Sequence, residues 1–442
     1  MSGHVSHEAS EPSASLSAGL AALVKEEEGA LADLARLIAL DTSFPPGRNY
    51  PACADLLEQM LMPSGFVFRR VTVPSEFWRR PEGEAEGERV NLMAARRRGR
   101  PVCSLYFHVD TVPADAGWTR PPHALTREGN RLFGRGTADM KGTIAATLMA
   151  LRAAAAAQLP LAYDPVLLFC TDEEGGLYPG IRYLAEQGLV EGHLLSFNGG
   201  AVPRIWAGCF GSFDLLIRIR GRAAHSGDPI GGINAIDAAL PVFNALAALK
   251  ARVTTRRSAL PAPPHYGDRP LTSLLTVAAA HGGRKGSALP ATFEILVNRR
   301  YAPEERFEDA LGEIEDTVRQ ALRGGDALGF ETRLLGHLAP VQDPTGPHWP
   351  RWQAALSLGF GYPAEAFRPW GSSTSSDMGW VQQAGIRELL LGGLARPGNN
   401  IHAADEHTTT EDLMALARSI LAYLAADFAA PLIPENATGG LP

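Results

Sequence analysis

The sequence predicts an α/β fold: a mixed sheet between helices, interrupted by a smaller inserted α+β domain. Three observations predict it. Apolar runs that read as buried strands, such as PVLLFCT (165–171), alternate with helix-period segments through the first half of the chain. That is the pattern of a sheet covered on both faces. From about residue 212 the texture changes, and SFDLLIRIRGRAAHS alternates apolar and polar residues as a half-exposed antiparallel strand does. After about residue 339 the first texture returns.

In chain order, the opening MSGHVSHEASEPSASLS lacks the basic-then-apolar pattern of a signal peptide and reads as a disordered lead-in, set at residues 1–20. Apolar positions at helical spacing predict helices over 16–40 and 50–61, followed by a strand, FVFRRVTV (66–73). The charged, Pro- and Gly-containing segment 74–89 reads as a loop. Strands NLMAARRR and VCSLYFHVD, a helix over 140–157, the strand PVLLFCT, a helix over 179–188 and the strand HLLSFN then follow. Beyond 212 come a helix (233–251), strands at 272–279 and 291–300, a helix (304–323) and FETRLL, a β-α-β-β-α-β set of ferredoxin-like order. The chain closes with a helix at 350–358, a strand at 386–391 and a helix at 411–427. The expected domains are 21–211 with 339–442, and an insert over 212–338.

A chain of 442 residues exceeds one compact core, so two domains are expected. The net charge of −7 and pI near 6.0 argue against a nucleic-acid binder. No apolar run approaches the roughly 18 residues of a membrane span. The four cysteines, Cys53, Cys103, Cys170 and Cys209, are far apart and form no CxxC pair. Buried thiols in a reducing cytoplasm are therefore expected.

The chemistry gathers at strand ends. CTDEEGG (170–176) places three consecutive carboxylates, Asp172, Glu173 and Glu174, directly after an apolar strand. SLYFHVDTVP (104–113) ends a strand with His108 and Asp110, two residues apart and so on one face. GRGTADMKG (134–142) puts Asp139 ahead of a helix, where a helix cap is the plain alternative. NNIHAADEHTTTEDL (399–413) adds His402, with Asp405 and Glu406 close behind. Each is unremarkable alone. Four junctions of one sheet that each deliver His, Asp or Glu form a set suited to a divalent metal. One carboxylate of Glu173–Glu174 can then bind metal while its neighbour acts as a general base.

Taken together, HVDTVPA, GRGTADMKG, TDEEGG, GRAAHSGDP with GINAI, and HAADE resemble the M20 metallopeptidases. That group includes glutamate carboxypeptidase, succinyl-diaminopimelate desuccinylase, acetylornithine deacetylase and the aminoacylases. The resemblance runs in the family's order from about residue 25 to 428. It implies a zinc-peptidase-like catalytic domain with an inserted lid that commonly dimerises. It further implies that His108 binds one metal, that Glu174 and His402 bind the other, and that Asp139 bridges them. Asp110 would orient His108, Glu173 would be the general base, and His225 would reach across a dimer to stabilise an oxyanion. Arg300 matches a lid-strand arginine, Asp377 lies in a loop resembling the family's Gly-Thr-Ser/Asp loop, and Gly393 lies in its Gly-rich binding loop. A small carboxylate substrate is expected.

The pattern breaks at HLLSFNGGAVPRIWAG (193–208), where Asn198 stands in place of the family's remaining acidic ligand. A neutral amide is a weak zinc ligand. One tightly held divalent ion per chain, Zn²⁺ or Mn²⁺ with Co²⁺ also compatible, is therefore expected rather than two. CFG (209–211) also replaces a usual basic residue. The expected reaction is hydrolysis of an N-acyl amino acid or small peptide-like amide. The rival is hydrolytic deamination of an aromatic amine, as by the family's 5-nitroanthranilate aminohydrolase, and the third reading is a relative that binds without turnover.

Overall fold

The structure, a computed structural model, describes residues 12–80, 85–175 and 177–428. The chain divides into two compact units. One comprises the chain up to Ile205, Thr345–Arg368 and the chain from Ala384 onward; the other comprises Trp206–Pro344 and Pro369–Gln383. The second unit thus takes in a returning segment, 369–383, beyond the expected insert. Among the described residues no helix is long and apolar enough to cross a membrane.

The first unit opens with α1 (Ala14–Ala39), whose N-cap Ser13 accepts from the Leu16 amide at 3.1 Å. The helix thus starts two residues before the expected 16–40 and takes up 14–20, which the domain bounds assign to the lead-in; residues 1–11 lie outside the described residues. Leu16, Leu23, Leu34 and Ile38 form its buried stripe. Helix α2 (Tyr50–Leu61) and β1 (Val67–Val73) follow. The expected loop 74–89 instead contains a short helix, Ser75–Trp78, and the first residue of β2 (Arg89–Ala95). The short helix has an anchor: the Arg89 guanidinium stacks 4.0 Å over the buried Trp78 ring.

Strands β3 (Val102–His108) and β4 (Asp164–Cys170) are buried almost throughout, as their continuous apolar character requires. Between them runs α3 (Lys141–Ala156), whose alanines let it pack closely. Its buried Lys141 donates to the carbonyls of Leu37 and Leu40, at 2.9 and 2.8 Å, satisfying the C-terminal end of α1. Helix α4 (Gly180–Glu186) and β5 (His193–Ser196) complete this half.

The second unit contains β6 (Gly211–Arg220), α5 (Ala235–Val253), β7 (Leu274–Gly282), β8 (Thr292–Tyr301), α6 (Phe307–Ala321) and β9 (Gly329–Leu338). The strands pair antiparallel in the order β7-β8-β6-β9, the ferredoxin-like arrangement. Burial alternates strictly along β6 and β8. Their inward residues, including Ile217, Ile219, Ile295 and Val297, form a core with Val242 and Leu246 of α5 and Ile314 of α6.

Back in the first unit, α7 (Trp349–Phe360), β10 (Leu389–Leu391) and α8 (Thr410–Leu424) close the fold. The sheet order is β1-β2-β4-β3-β5-β10. Strands β4, β3, β5 and β10 run parallel, whereas β2 pairs antiparallel with both β1 and β4, so the sheet is mixed as expected. Among the strands that escape the sequence reading, Thr126–Glu128, Arg131–Phe133 and His407–Thr409 form a small sheet of their own. Pairing of His407 with Phe133 lays HAADE beside GRGTAD.

Candidate metal centre

The carboxyl ends of β3, β4 and β5 carry His108, the DEE turn and Asn198 respectively. His108 is fully buried. Its Nδ1 donates to the Asp110 carbonyl at 3.0 Å, and the Asp110 carboxylate lies farther off, at 3.8 Å. The orienting oxygen is thus the backbone one. The contact fixes the tautomer and leaves Nε2, 3.0 Å from Asp139 Oδ1, as the nitrogen facing the cluster. The Asp110 side chain serves the next turn instead, accepting from the Glu174 amide at 2.9 Å.

Asp139 does not cap α3; Met140 holds that position, without a side-chain cap. Its two oxygens face different histidines, Oδ1 toward His108 and Oδ2 toward His402 Nε2 at 3.4 Å. His402 Nε2 also lies 3.0 Å from Glu174 Oε2. His108, Asp139 and Glu174 offer ligand atoms within 4.8 Å of one another. Two imidazoles and two carboxylates converging in this way fit the donor chemistry of a divalent cation.

The loop that carries Asp139 is shaped by a residue the sequence reading assigns no role. Glu406 is buried, and its carboxylate accepts from Arg135 Nη1 at 2.7 Å and from the amides of Gly136, Ala138 and Asp139 at 3.0–3.1 Å. The available signal is Arg135, the one basic residue in the loop GRGTAD (134–139). His402 has φ of +62°, an unusual conformation for a bulky residue, between Asn400 and Asp405, which adopt it more readily.

The three consecutive carboxylates face three ways. Asp172 turns inward, accepting from Tyr50 Oη at 2.8 Å and from Arg89 Nε at 2.7 Å. Glu174 joins the histidines. Glu173 accepts on Oε1 from Asn198 Nδ2 at 2.7 Å. Like charges are thus adjacent in sequence but separately compensated.

The electrostatics follow from this crowding. Burial works against a charged Asp139, but its hydrogen bonds from His108 and His402 outweigh burial and hold its carboxyl well below the usual range. Hydrogen bonds to Asp139 and Glu174 push His402 up to about 10. Burial disfavours cationic His108, yet Asp139, Glu173 and Asp110 raise it well above its ordinary value. Burial and the Asp139 charge raise Glu174.

Of the remaining candidates, Gly393 belongs to the first unit and His225, Arg300 and Asp377 to the second. Gly393, in the first unit, packs where a Cβ would stand 2.0 Å from the Gly199 carbonyl oxygen. In the second unit His225 is exposed, and its Nδ1 accepts from the Gly227 amide at 3.1 Å, which places its proton on Nε2. Arg300 donates to Ser375 Oγ at 3.0 Å and to the Ser373 carbonyl at 3.3 Å, joining β8 to the loop that contains Asp377. Asp377 is fully buried.

The family profile of peptidase family M20/M25/M40 matches residues 104–426. The chain belongs to this family. Among relatives of this M20 chain, the acetylornithine deacetylase of Salmonella arizonae is 31% identical over 233 residues, 52% of this chain and 57% of its own. That of Salmonella paratyphi B is 30% identical over the same shares. The chain thus spans little more than half the length of the curated relatives it matches. The M20 fold is shared with the dipeptidase Dug1p of Saccharomyces cerevisiae (TM-score 0.75, 16% identity, 94% of this chain and 99% of that one). It is also shared with human carnosine dipeptidase 1 (TM-score 0.70, 15% identity, 93% and 99%).

Proposed function

We propose that this M20 chain is a metal-dependent hydrolase that cleaves the amide bond of an N-acyl amino acid or small peptide bearing a carboxylate. The supporting observation is the split of adjacent carboxylates. Glu174 faces His402, whereas Glu173, one residue away, is held outside that pair by Asn198. The names of the relatives, acetylornithine deacetylase and dipeptidase, favour the same bond.

Asp139, Glu174 and His402 would hold one divalent ion, Zn²⁺ or Mn²⁺. His108 anchors the other oxygen of Asp139, and Asn198 is too weak a donor to complete a second tight site. When bound, the ion supplies Lewis-acid polarisation of the amide carbonyl and acidifies the attacking water. Glu173 takes the water's proton on its carboxylate and returns it to the departing nitrogen. His225, with its proton on Nε2, donates to the developing oxyanion of a neighbouring subunit in a homodimer formed through the second unit. Arg300 pairs with the substrate carboxylate, beside the loop carrying Asp377; Gly393 shapes the backbone of the pocket.

The test is a panel of N-acetyl amino acids and dipeptides offered to chelator-treated protein with Zn²⁺ or Mn²⁺ restored. Metal-dependent release of free amino acid supports the reading. Ammonia release from an aromatic amine such as an anthranilate, with no amide turned over, replaces it with the deaminase reading favoured by the neutral Asn198. Metal binding with neither activity would leave a non-catalytic relative.

A further inference from the structure

Asn198 does more than fail to be an acid. Its Nδ2 lies 2.7 Å from Glu173 Oε1, and a carboxylate can only accept, so the amide donates. A second carboxylate at this position would face Glu173 as a like charge and would need a cation or a proton between them. The amide pairs with Glu173 directly.

The donor is rigidly mounted. On one side of Asn198, the Gly392 amide donates to the Ser196 carbonyl at 2.9 Å. On the other, Ala395 donates to Gly199 at 3.2 Å and Ala201 donates to Ala395 at 3.0 Å. Added Cβ atoms would meet the Gly392 carbonyl oxygen 2.8 Å from Gly199, and the Gly199 oxygen 2.0 Å from Gly393, so these backbones leave no room to shift. The acceptor is mounted equally firmly. Asp172, just before Glu173, is tied to Arg89 and Tyr50, and the Gly175 amide closes the turn on the Glu173 carbonyl at 2.8 Å.

We infer that Asn198 is a positioning residue for Glu173, fixing the carboxylate that takes the water proton, and is not a ligand of the ion. The inference rests on Glu173 being the general base. In this reading the Glu173 carboxylate receives the water's proton and passes it to the departing nitrogen. A carboxylate so held spends no time in rotamers that cannot reach the water.

The experiment uses the full chain, its best N-acetyl amino acid substrate from the panel, and Zn²⁺ titrated against a competing chelator. Asn198→Ala and the similarly shaped Asn198→Leu should each lower kcat roughly 10- to 100-fold, the scale of one hydrogen bond to a charged group. KM and Zn²⁺ affinity should stay unchanged. In a Glu173→Ala background, Asn198→Ala should cost nothing further, because its effect runs through the missing carboxylate. Weaker Zn²⁺ binding by both Asn198 variants makes Asn198 a ligand and overturns the inference. So does an unchanged kcat, or a loss that multiplies with that of Glu173→Ala. Full activity in Glu173→Ala itself is a different failure, of the general-base reading.

Discussion

At Glu174 the neighbours are His402 and the charge of Asp139; Glu173 accepts from the Asn198 amide and adds its charge to the field at His108. That difference sets opposite expectations for adjacent residues. Glu173→Gln should leave Zn²⁺ affinity nearly intact and lower kcat by roughly 10²–10⁴, the scale of a general base. Glu174→Ala and His402→Ala should lose the ion. Metal analysis beside turnover checks this, and loss of the ion from Glu173→Gln but not from Glu174→Ala would reverse the division of labour. His402 gives a pH prediction with a definite sign. Its pKa in the folded, metal-free chain is raised to about 10 from 6.5, so its contribution is complete below the unfolded value and is lost as pH rises toward 10. Thermal unfolding of chelator-treated protein should show a falling midpoint between pH 7 and 10. His402→Gln should flatten that slope; an unchanged slope would remove His402 as its source. His108, Asp139, Glu174 and His402 are legible in the sequence because each sits in a short motif at a strand or helix junction. The partner of Asn198 is not, because it depends on how two loops far apart in the chain meet. Neither is the fate of Asp172, whose charge is taken up by an arginine 83 positions away.

Among the elements, long apolar strands and periodic helices are readable because each repeats its signal over several turns or pleats. The strands Arg131–Phe133 and His407–Thr409 are three residues each, too short to display a period, yet their pairing delivers Glu406 to the loop of Asp139. The helix Met378–Gln383 escapes for the same reason. Glu406 and Arg135 are both almost wholly buried, with 1% of each side chain exposed. Glu406→Ala should therefore cost about 3–5 kcal/mol by stranding the arginine charge. It should weaken Zn²⁺ binding as well, since three backbone donors of the Asp139 loop lose their acceptor. Denaturant unfolding and a chelator competition check the two effects. Lost stability with undiminished Zn²⁺ affinity would mean that Asp139 keeps its place without this support. Gly393→Ala is predicted to lower the melting midpoint by several degrees, because its Cβ would overlap a carbonyl of the neighbouring loop.

For the molecule as a whole, the change from continuous to alternating apolar patterning announces the second unit, while the return of 369–383 to that unit leaves no mark in the sequence. The homodimer proposed through that unit makes a claim about shared sites. Purified Glu173→Ala and His225→Ala proteins should each be nearly inactive while keeping their metal. Mixed under conditions that exchange subunits, they should regain part of the activity, because some hybrid sites recover both groups. Well-exchanged mixtures that regain none would confine His225 to its own subunit or to no catalytic role.

The parallel pairing of β10 with β5 has a consequence for how the protein is made. The ribosome releases β5 long before Leu389–Leu391 exists, and the bulk of the second unit is synthesised in between. At about 5–20 residues per second, that interval lasts on the order of ten to forty seconds. Throughout it the nascent sheet ends in a bare, apolar strand, His193–Ser196, open to any other chain with a strand to offer. His402, too, arrives only after β10, so a metal ion in the cell meets its full set of donors only when translation is nearly done. Yield of this protein should thus depend on chaperones that shelter unfinished chains more than on the stability of the finished one.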